Sequence, residues 1–438
     1  MEKVVSDKEE KMRQIIWYGA GKNLRDYEKE FVAETGYPLC ICDVSKEKQG
    51  TVYTFCDGHE CEIVSLDYVK NEYPEYELWL TLAEHNLKSV YDNLVEEGIP
   101  AGKICFFGGR EYRLGCFNLQ NYIYISSDNI KTCAHYPYTN HFWFEPNEVL
   151  TEESVTKKID ELEAWRRETN RKLKNGEKTS CHGCSALHWG FFTKEPHVEV
   201  LGVGPNFKGG TKCNCNCFYC NQNEIIRTAS NQELSNYDIH RISAEYYDTL
   251  DTTILADGEP TILPSIDKIC DLVVNKDWSI QLNTNAIVYN EKLAEAIASN
   301  SKSFMAVALD SGSRETYKKI KRVDTYERVI ENLHKYKAKG CNIFLKYILI
   351  PEYNDNLDEI IKFLNVCEEL DIKHVTLSQN LSGFVDGVAH KADPDMPESM
   401  FCLFAYMVAR LQEMGIYWDF QIEFVSKHDI DRIEKLRR

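Results

Sequence analysis

The chain lacks an uninterrupted apolar run of the roughly 18 residues a membrane-crossing helix needs. Its first residues, Met1 to Lys11, are charged and carry no apolar core. That argues against a secretory signal, so a cytoplasmic location is expected, with no membrane partner. Positive charge is also scarce. Lys and Arg total 51 against 69 Asp and Glu, a formal net charge of −18. That balance disfavours nucleic acid and anionic lipid, which need a basic face. There is no low-complexity tract and no short internal repeat. What remains is a globular composition, 43% hydrophobic and 27% charged over 438 residues, enough for about three domains. Cysteine is plentiful, with 17 residues. In a reducing compartment, clustered cysteines point to metal or catalysis more than to disulfides.

The pattern of apolar runs divides the chain into three expected regions. In residues 1–112, strands at Gln14–Tyr18, Pro38–Cys42, Tyr76–Leu82 and Lys103–Phe107 alternate with helices near Asn23–Thr35 and His85–Glu97. This alternation predicts a small parallel α/β domain. Residues 113–195 contain a strand at Gln120–Ser126, a long charged helix at Glu152–Lys174 and the run Cys181-His182-Gly183-Cys184. In residues 196–438, strands begin near His197, Thr252, Ser279, Phe304, Asn342 and His374, with helices between them. Six βα units in a row predict a parallel barrel or partial barrel, with chemistry at the C-terminal strand ends.

The strongest chemical signal is Cys213-Asn214-Cys215-Asn216-Cys217-Phe218-Tyr219-Cys220, which contains CxxxCxxC after the first barrel strand. Cys213, Cys217 and Cys220 are three thiols that can wrap a cubane cluster and leave one iron for a small molecule. A zinc site with Cys215 as fourth ligand is the competing reading. Further along, successive strand ends carry Asp257-Gly258-Glu259-Pro260, Asn283-Thr284-Asn285-Ala286 and Leu309-Asp310-Ser311-Gly312, followed by the apolar Tyr347-Ile348-Leu349-Ile350-Pro351. Taken singly, these are a turn, strand-end caps and a helix N-cap. Their order at successive strand ends is the informative feature.

On these residues, 196–380 resembles the radical S-adenosylmethionine (radical SAM) superfamily. The resemblance implies that Cys213, Cys217 and Cys220 hold a [4Fe–4S] cluster and that SAM takes the open iron. Reductive cleavage would then yield a 5′-deoxyadenosyl radical that abstracts a substrate hydrogen. Tyr219 matches the aromatic position near the adenine. Gly258 and Glu259 match a GGEP motif that receives the methionyl amino group, with Asp257 in place of the first glycine. Asn283 and Asn285 match a TNG motif, with Ala286 in place of its glycine. Asp310 matches a polar contact to SAM, and Ile348 lies on the strand that packs on adenine. The fold class expected is α/β: a partial (β/α)6 radical SAM barrel at 196–438, a small Rossmann-like domain at 1–112 and a cysteine-rich middle segment at 113–195.

The middle segment carries Cys116 and Cys133 around a strand and an Asp128-Asn129 turn, then Cys181 and Cys184. This arrangement resembles the SPASM or twitch segments that hold auxiliary Fe–S clusters, although it precedes the barrel and lacks their turn glycine. Four thiols suit an auxiliary Fe–S cluster or zinc, and a site without metal stays open. His182 and His188 are reserve ligands. In the first region, Gly19-Ala20-Gly21 between a strand and a helix, with Asp43 downstream, fits part of a dinucleotide-binding turn. The third glycine is absent, with Leu24 in its place. A degenerate fold used for docking is the alternative. Cys40, Cys42, Cys56, Cys61 and Cys105 read as free thiols. The resemblance implies a peptide or protein substrate, or a sugar-linked one, and an electron donor such as flavodoxin or ferredoxin. Glu352, Ser378 and Gln379 are strand-end candidates for acting on the substrate. A glycyl-radical-type activating enzyme and a non-catalytic Fe–S or zinc scaffold are the alternatives.

Overall fold

The computed structural model describes residues 14–133, 141–184, 186–204, 207–208, 213–220, 233–256, 258–379, 384–385, 388–389, 396–421 and 427–435. Asp257, Gly209 and Gly210 lie outside the described residues. The chain divides into two compact units. One comprises 1–116, 173–176 and 185–196, and the other 117–172, 177–184 and 197–438.

The first unit is built on strands β1 (Gln14–Tyr18), β2 (Cys40–Cys42), β3 (Val52–Thr54), β4 (Glu60–Val64), β5 (Tyr76–Leu80), β6 (Ile104–Phe106) and β7 (Arg110–Gly115). Helices α1 (Lys22–Thr35), α2 (Leu66–Glu72) and α3 (Glu84–Glu96) connect them. Its parallel core runs β4-β2-β1-β5-β6. That is the 3-2-1-4-5 strand order of dinucleotide-binding sheets. Ile16, Leu78 and Leu80 fill one face of this sheet, and Trp17, Ile41 and Ile63 the other. Burial on both faces is why these strands read as continuous apolar runs.

The second unit opens with β8 (Tyr122–Ile125), β9 (Asn129–Lys131), β10 (Phe142–Trp143) and the long helix α5 (Glu152–Lys174), after a one-turn helix α4 (Phe117–Asn121). Strand β11 (His188–Thr193) belongs instead to the first unit, where it pairs antiparallel with β7. The second sheet then adds β12 (Val200–Val203), β13 (Thr252–Leu255), β14 (Ser279–Thr284), β15 (Phe304–Ala308), β16 (Ile343–Leu349) and β17 (His374–Gln379). A short antiparallel pair, β18 (Phe384–Val385) and β19 (Val388–Ala389), precedes the last strand, β20 (Tyr417–Phe420). The main sheet order is β10-β9-β8-β12-β13-β14-β15-β16-β17-β20, and every pair from β8 to β20 is parallel. Helices α6 (Asn236–Tyr246), α7 (Ile266–Asn275), α8 (Glu291–Ser299), α9 (Arg314–Lys321), α10 (Tyr326–Ala338) and α11 (Leu357–Glu369) lie between the strands, with α12 (Glu398–Glu413) and α13 (Lys427–Glu434) near the end. The six strands expected from the sequence are β12 to β17, and β8 and β20 extend them at either side.

The middle segment expected at 113–195 is shared between the two units. Its hairpin exists, with Tyr124 opposite Lys131 and Ile125 opposite Ile130. However, β8 also pairs with β12 along its whole length, Tyr122 opposite Val200 through Ile125 opposite Val203. Parallel pairing to a buried strand fixes β8 in the main sheet. Buried Arg166 on α5 reinforces this by donating to the carbonyls of Leu119 (3.0 Å) and Tyr122 (3.1 Å).

Candidate functional site

The cysteine stretch docks onto the C-terminal turn of α9. Asn216 N–H donates to the Lys321 carbonyl (3.1 Å) and Phe218 N–H to the Ile320 carbonyl (3.2 Å). Those carbonyls are among the orphan acceptors every helix end presents. Phe218 stacks on Tyr353, with centroids 4.3 Å apart. Between the expected ligands sits Cys215, buried, with its N–H on Cys213 Sγ (3.4 Å). Its thiol donates to Cys213 and Cys217 and holds both below the usual thiol range. Cys217 is lowered to about 7: the Cys215 bond comes first, burial opposes it, and the Lys321 cation helps. Thiolate is the form that ligates iron.

Helix α9 is itself fixed by a tight turn. The backbone N–H groups of Gly312 and Ser313 donate to Glu359 Oε1 at 2.7 and 2.8 Å. A Cβ on Gly312 would meet Phe363 N at 2.2 Å, so only glycine fits where β15 turns into α9.

The strand-end residues fall on the same side of the sheet, each in a definite role. Glu259 is fully buried. Its carboxylate accepts from Thr261 N–H (3.0 Å), Thr261 Oγ1 (2.6 Å), Thr284 Oγ1 (2.6 Å) and Asn285 N–H (2.7 Å). Burial pushes its pKa up, while these donors oppose the rise. Glu259 thus ties the end of β13 to the end of β14. Gly258 beside it has φ of 62°. Asn285 reaches the cysteine stretch, donating from Nδ2 to Asn214 Oδ1 (2.6 Å) with Cys213 Sγ at 3.8 Å. Asn283 is exposed near the end of β14.

Asp310 is fully buried at a positive φ of 56°. Its Oδ1 accepts from Ile348 N–H (2.9 Å), and its Oδ2 from Tyr219 Oη (2.7 Å) and Lys321 Nζ. Lys321 Nζ also donates to Tyr219 Oη at 2.8 Å. Asn354 completes the network by donating to the carbonyls of Asp310 and Ile348, both at 2.8 Å. Lys321 and Asn354 were not singled out in the sequence. Lys321 is the last residue of an otherwise ordinary charged helix, and nothing local marks it as buried.

A second group missed in the sequence lines one face of the sheet. Strand residues two apart share a face. Register places Phe304 level with Gln281, Phe344 with His374, and Lys346 with Thr376. Tyr417 pairs with His374, and Asp419 with Thr376. Phe304 stacks on Phe344 (4.4 Å), and His374 packs on both Phe344 (4.0 Å) and Tyr417 (4.8 Å). His374 Nε2 lies 3.1 Å from Asp419 Oδ2. Asp419 is lowered against its burial by its neighbours His374 and Thr376, with Lys346 adding charge. An aromatic row near the strand starts is therefore followed by a polar row nearer the cysteine side.

The auxiliary cysteines are divided between the two units. Cys116 ends the first unit, while Cys133, Cys181 and Cys184 belong to the second. Cys181 to Cys184 is a tight turn, with Cys184 N–H on the Cys181 carbonyl (3.1 Å) and Gly183 at φ 88°. His182 Nδ1 accepts from Thr179 N–H (3.0 Å), and His188 Nδ1 lies 3.0 Å from the Ala186 carbonyl. Among the described residues, no three His, Cys, Asp or Glu side chains converge as a single metal ion requires.

The turn at Gly19-Ala20-Gly21 is closed by its own protein groups. Asp43 Oδ2 accepts from Ala20 N–H (2.7 Å), and Oδ1 from Ser45 N–H (2.8 Å). Lys48 Nζ bridges Asp43 and the Ala20 carbonyl at 3.1 Å each. The carboxylate expected to face a ribose is thus already engaged by backbone.

With this geometry in place, comparison with known proteins identifies the central region. A family model described as Radical SAM superfamily matches residues 208–364. Residues 208–364 belong to the radical SAM superfamily. This segment holds the cysteine stretch, the Glu259 and Asn285 strand ends, Asp310 and Lys321. Among curated proteins, the chain is 27% identical over 192 residues to protein MJ0804 of Methanocaldococcus jannaschii, covering 44% of this chain and 59% of that protein. It is 26% identical over 175 residues to GTP 3′,8-cyclase of Clostridium perfringens, covering 38% and 52%. The chain thus spans little more than half the length of these relatives. Among solved structures, Streptococcus suis SuiB bound to its precursor peptide SuiA superposes with a TM-score of 0.43 at 12% identity, covering 74% of this chain and 75% of that one.

Radical SAM domains use a [4Fe–4S] cluster and SAM. The residues present fit that pair. The thiolates of a cubane bind different irons, so they need not converge on one point as ligands of a single ion do. Cys213 and Cys217 are poised toward thiolate, and three cysteines leave one iron for SAM.

Proposed function

We propose that the chain is a SAM-cleaving radical enzyme whose cluster is held by Cys213, Cys217 and Cys220. The observation that carries this reading is the docking of the cysteine stretch on α9, beside the Glu259, Asn285 and Asp310 strand ends. When bound, the cluster and SAM supply a 5′-deoxyadenosyl radical for hydrogen abstraction, with an electron from a flavodoxin- or ferredoxin-type donor. Glu259 ties the β13 and β14 ends together, so the Gly258 backbone would meet SAM while Asn285 holds the cysteine stretch through Asn214. The Asp310 network sets the Ile348 backbone, and the Ile348 side chain packs with Ile320 and Ile350, an apolar surface that would receive the adenine. The row of Lys346, Thr376 and Asp419, with His374 beside Asp419, supplies charged and hydrogen-bonding groups for a polar substrate, either a peptide or protein or a sugar-linked molecule. The GTP substrate in the name of the Clostridium relative belongs to the sugar-linked alternative.

The test is anaerobic. The chain is reconstituted with iron and sulfide, then given dithionite and SAM, and 5′-deoxyadenosine is quantified with and without candidate substrates. Release of 5′-deoxyadenosine is expected, with stimulation and deuterium transfer from one substrate class. A chain that holds a cluster yet releases none would make it a non-catalytic scaffold.

A further inference from the structure

Lys321 is a lysine without access to water, 1% exposed, at the end of the helix on which the cysteine stretch docks. A buried ammonium is costly unless paired, and this one has two partners. One is Tyr219, between Cys217 and Cys220 (2.8 Å); the other is Asp310, at the end of β15. Both charges reach the cysteine stretch at Tyr219, whose Oη donates to Asp310 Oδ2 at 2.7 Å. Asp310 turns Oδ1 away to Ile348 N–H (2.9 Å), and its carbonyl is held by Asn354. Lys321 is tied to the stretch twice more, its own carbonyl bonded to Asn216 N–H (3.1 Å) and its ammonium 5.3 Å from the Tyr219 ring centre.

We propose that Lys321 is a positioning residue of the cluster site, a fixed buried cation that clamps Tyr219 and makes the cluster easier to reduce. The inference rests on the radical SAM reading of Cys213, Cys217 and Cys220. Reduction adds one electron from the donor to the cluster, so negative charge grows beside the cysteines. A cation held there in a medium of low dielectric favours the reduced state, and net charge is among the factors that set iron–sulfur potentials. Asp310 is the counterweight, so removing either member must move the potential in opposite directions.

The experiment is an EPR-monitored redox titration of the reconstituted full chain without SAM, with iron counted in every sample. Lys321→Gln is expected to shift the midpoint to more negative potential. Asp310→Asn, which leaves the cation uncompensated, is expected to shift it to less negative potential. Lys321→Arg should return the midpoint close to the parent value. Loosened packing alone would not give opposite signs. If Lys321→Gln assembles no cluster, Asp310→Asn decides, and no shift or a negative one overturns the proposal. Unchanged midpoints at full iron content in both variants also overturn it. Failure of the parent chain to assemble any cluster would instead sink the radical SAM reading.

Discussion

Both units are parallel sheets whose strand ends carry the candidate chemistry, but the two loops differ in what satisfies them. In the first unit, the Gly19-Ala20-Gly21 turn has a dinucleotide-binding strand order around it. Its backbone donor is nevertheless taken by Asp43, itself held by Ser45 and Lys48. In the second unit, the carboxylates serve the strand ends instead. Glu259 and Asp310 are buried at the strand ends and brace them, and Asp310 also holds Tyr219 of the cysteine stretch. In the first unit the turn's Ala20 N–H is thus occupied by the protein's own carboxylate. The two candidate sites differ in whether a carboxylate fills the turn itself or braces the strand ends beside the loop.

The sharpest way to break this contrast is to delete the brace. Glu259→Ala leaves four donors without an acceptor deep in the second unit. It is expected to cost about 3 kcal/mol or more, because buried unsatisfied groups are expensive. Asp43→Ala, at a partly screened turn, should cost about 1 kcal/mol. Hydrogen–deuterium exchange resolves the two regions. Equal losses would erase the distinction.

Acid sharpens it further. His240 is fully buried in the second unit, bonded to the Asn236 carbonyl (2.7 Å) and Thr253 Oγ1 (2.8 Å), and burial lowers its pKa to about 4. The unfolded chain therefore takes up the proton first as pH falls below the ordinary 6.5, and stability is lost between there and about 4. The loss should reach about 2 kcal/mol at pH 5. Asp43 moves the other way. Burial alone would raise it, but the Ser45 and Ala20 backbone donors and Lys48 hold it below 3.8. Its contribution is present above the unfolded value and disappears only in stronger acid. Melting at pH 7 and pH 5 should show a drop that His240→Gln suppresses and Asp43→Asn does not.

The smallest effect concerns the docking helix. Arg322 ends α9 at φ 55°, a left-handed position that suits glycine. Arg322→Gly should raise stability by about 1 kcal/mol in chemical denaturation, since it removes a side chain from a strained position. A decrease would mean that Arg322 has a role at the cysteine site.

Much of the candidate site was legible because its signals are local. Cys213, Cys217 and Cys220 stand within one loop, and Glu259, Asn285 and Asp310 follow their strands directly. The six central strands were legible as well, because their apolar positions alternate regularly with helical stretches along the chain. What escaped depends on distant pairing. Lys321 meets Tyr219 across 102 positions. The His374, Lys346 and Asp419 face exists only once the strand register is known. The division of 113–195 escaped for the same reason. Nothing in His188–Thr193 announces that it returns to β7, or in Tyr122–Ile125 that it joins β12.

The most direct measurement is iron and sulfide content of the reconstituted chain beside its Cys213→Ala, Cys217→Ala, Cys220→Ala triple variant, each followed by SAM addition and EPR. The account predicts that the variant loses about four irons per chain and with them every SAM-dependent change in the reduced spectrum. Iron left in the variant would report the second cysteine set. Equal iron in both proteins, or zinc in place of iron in the parent, would contradict the assignment of the cluster to this loop.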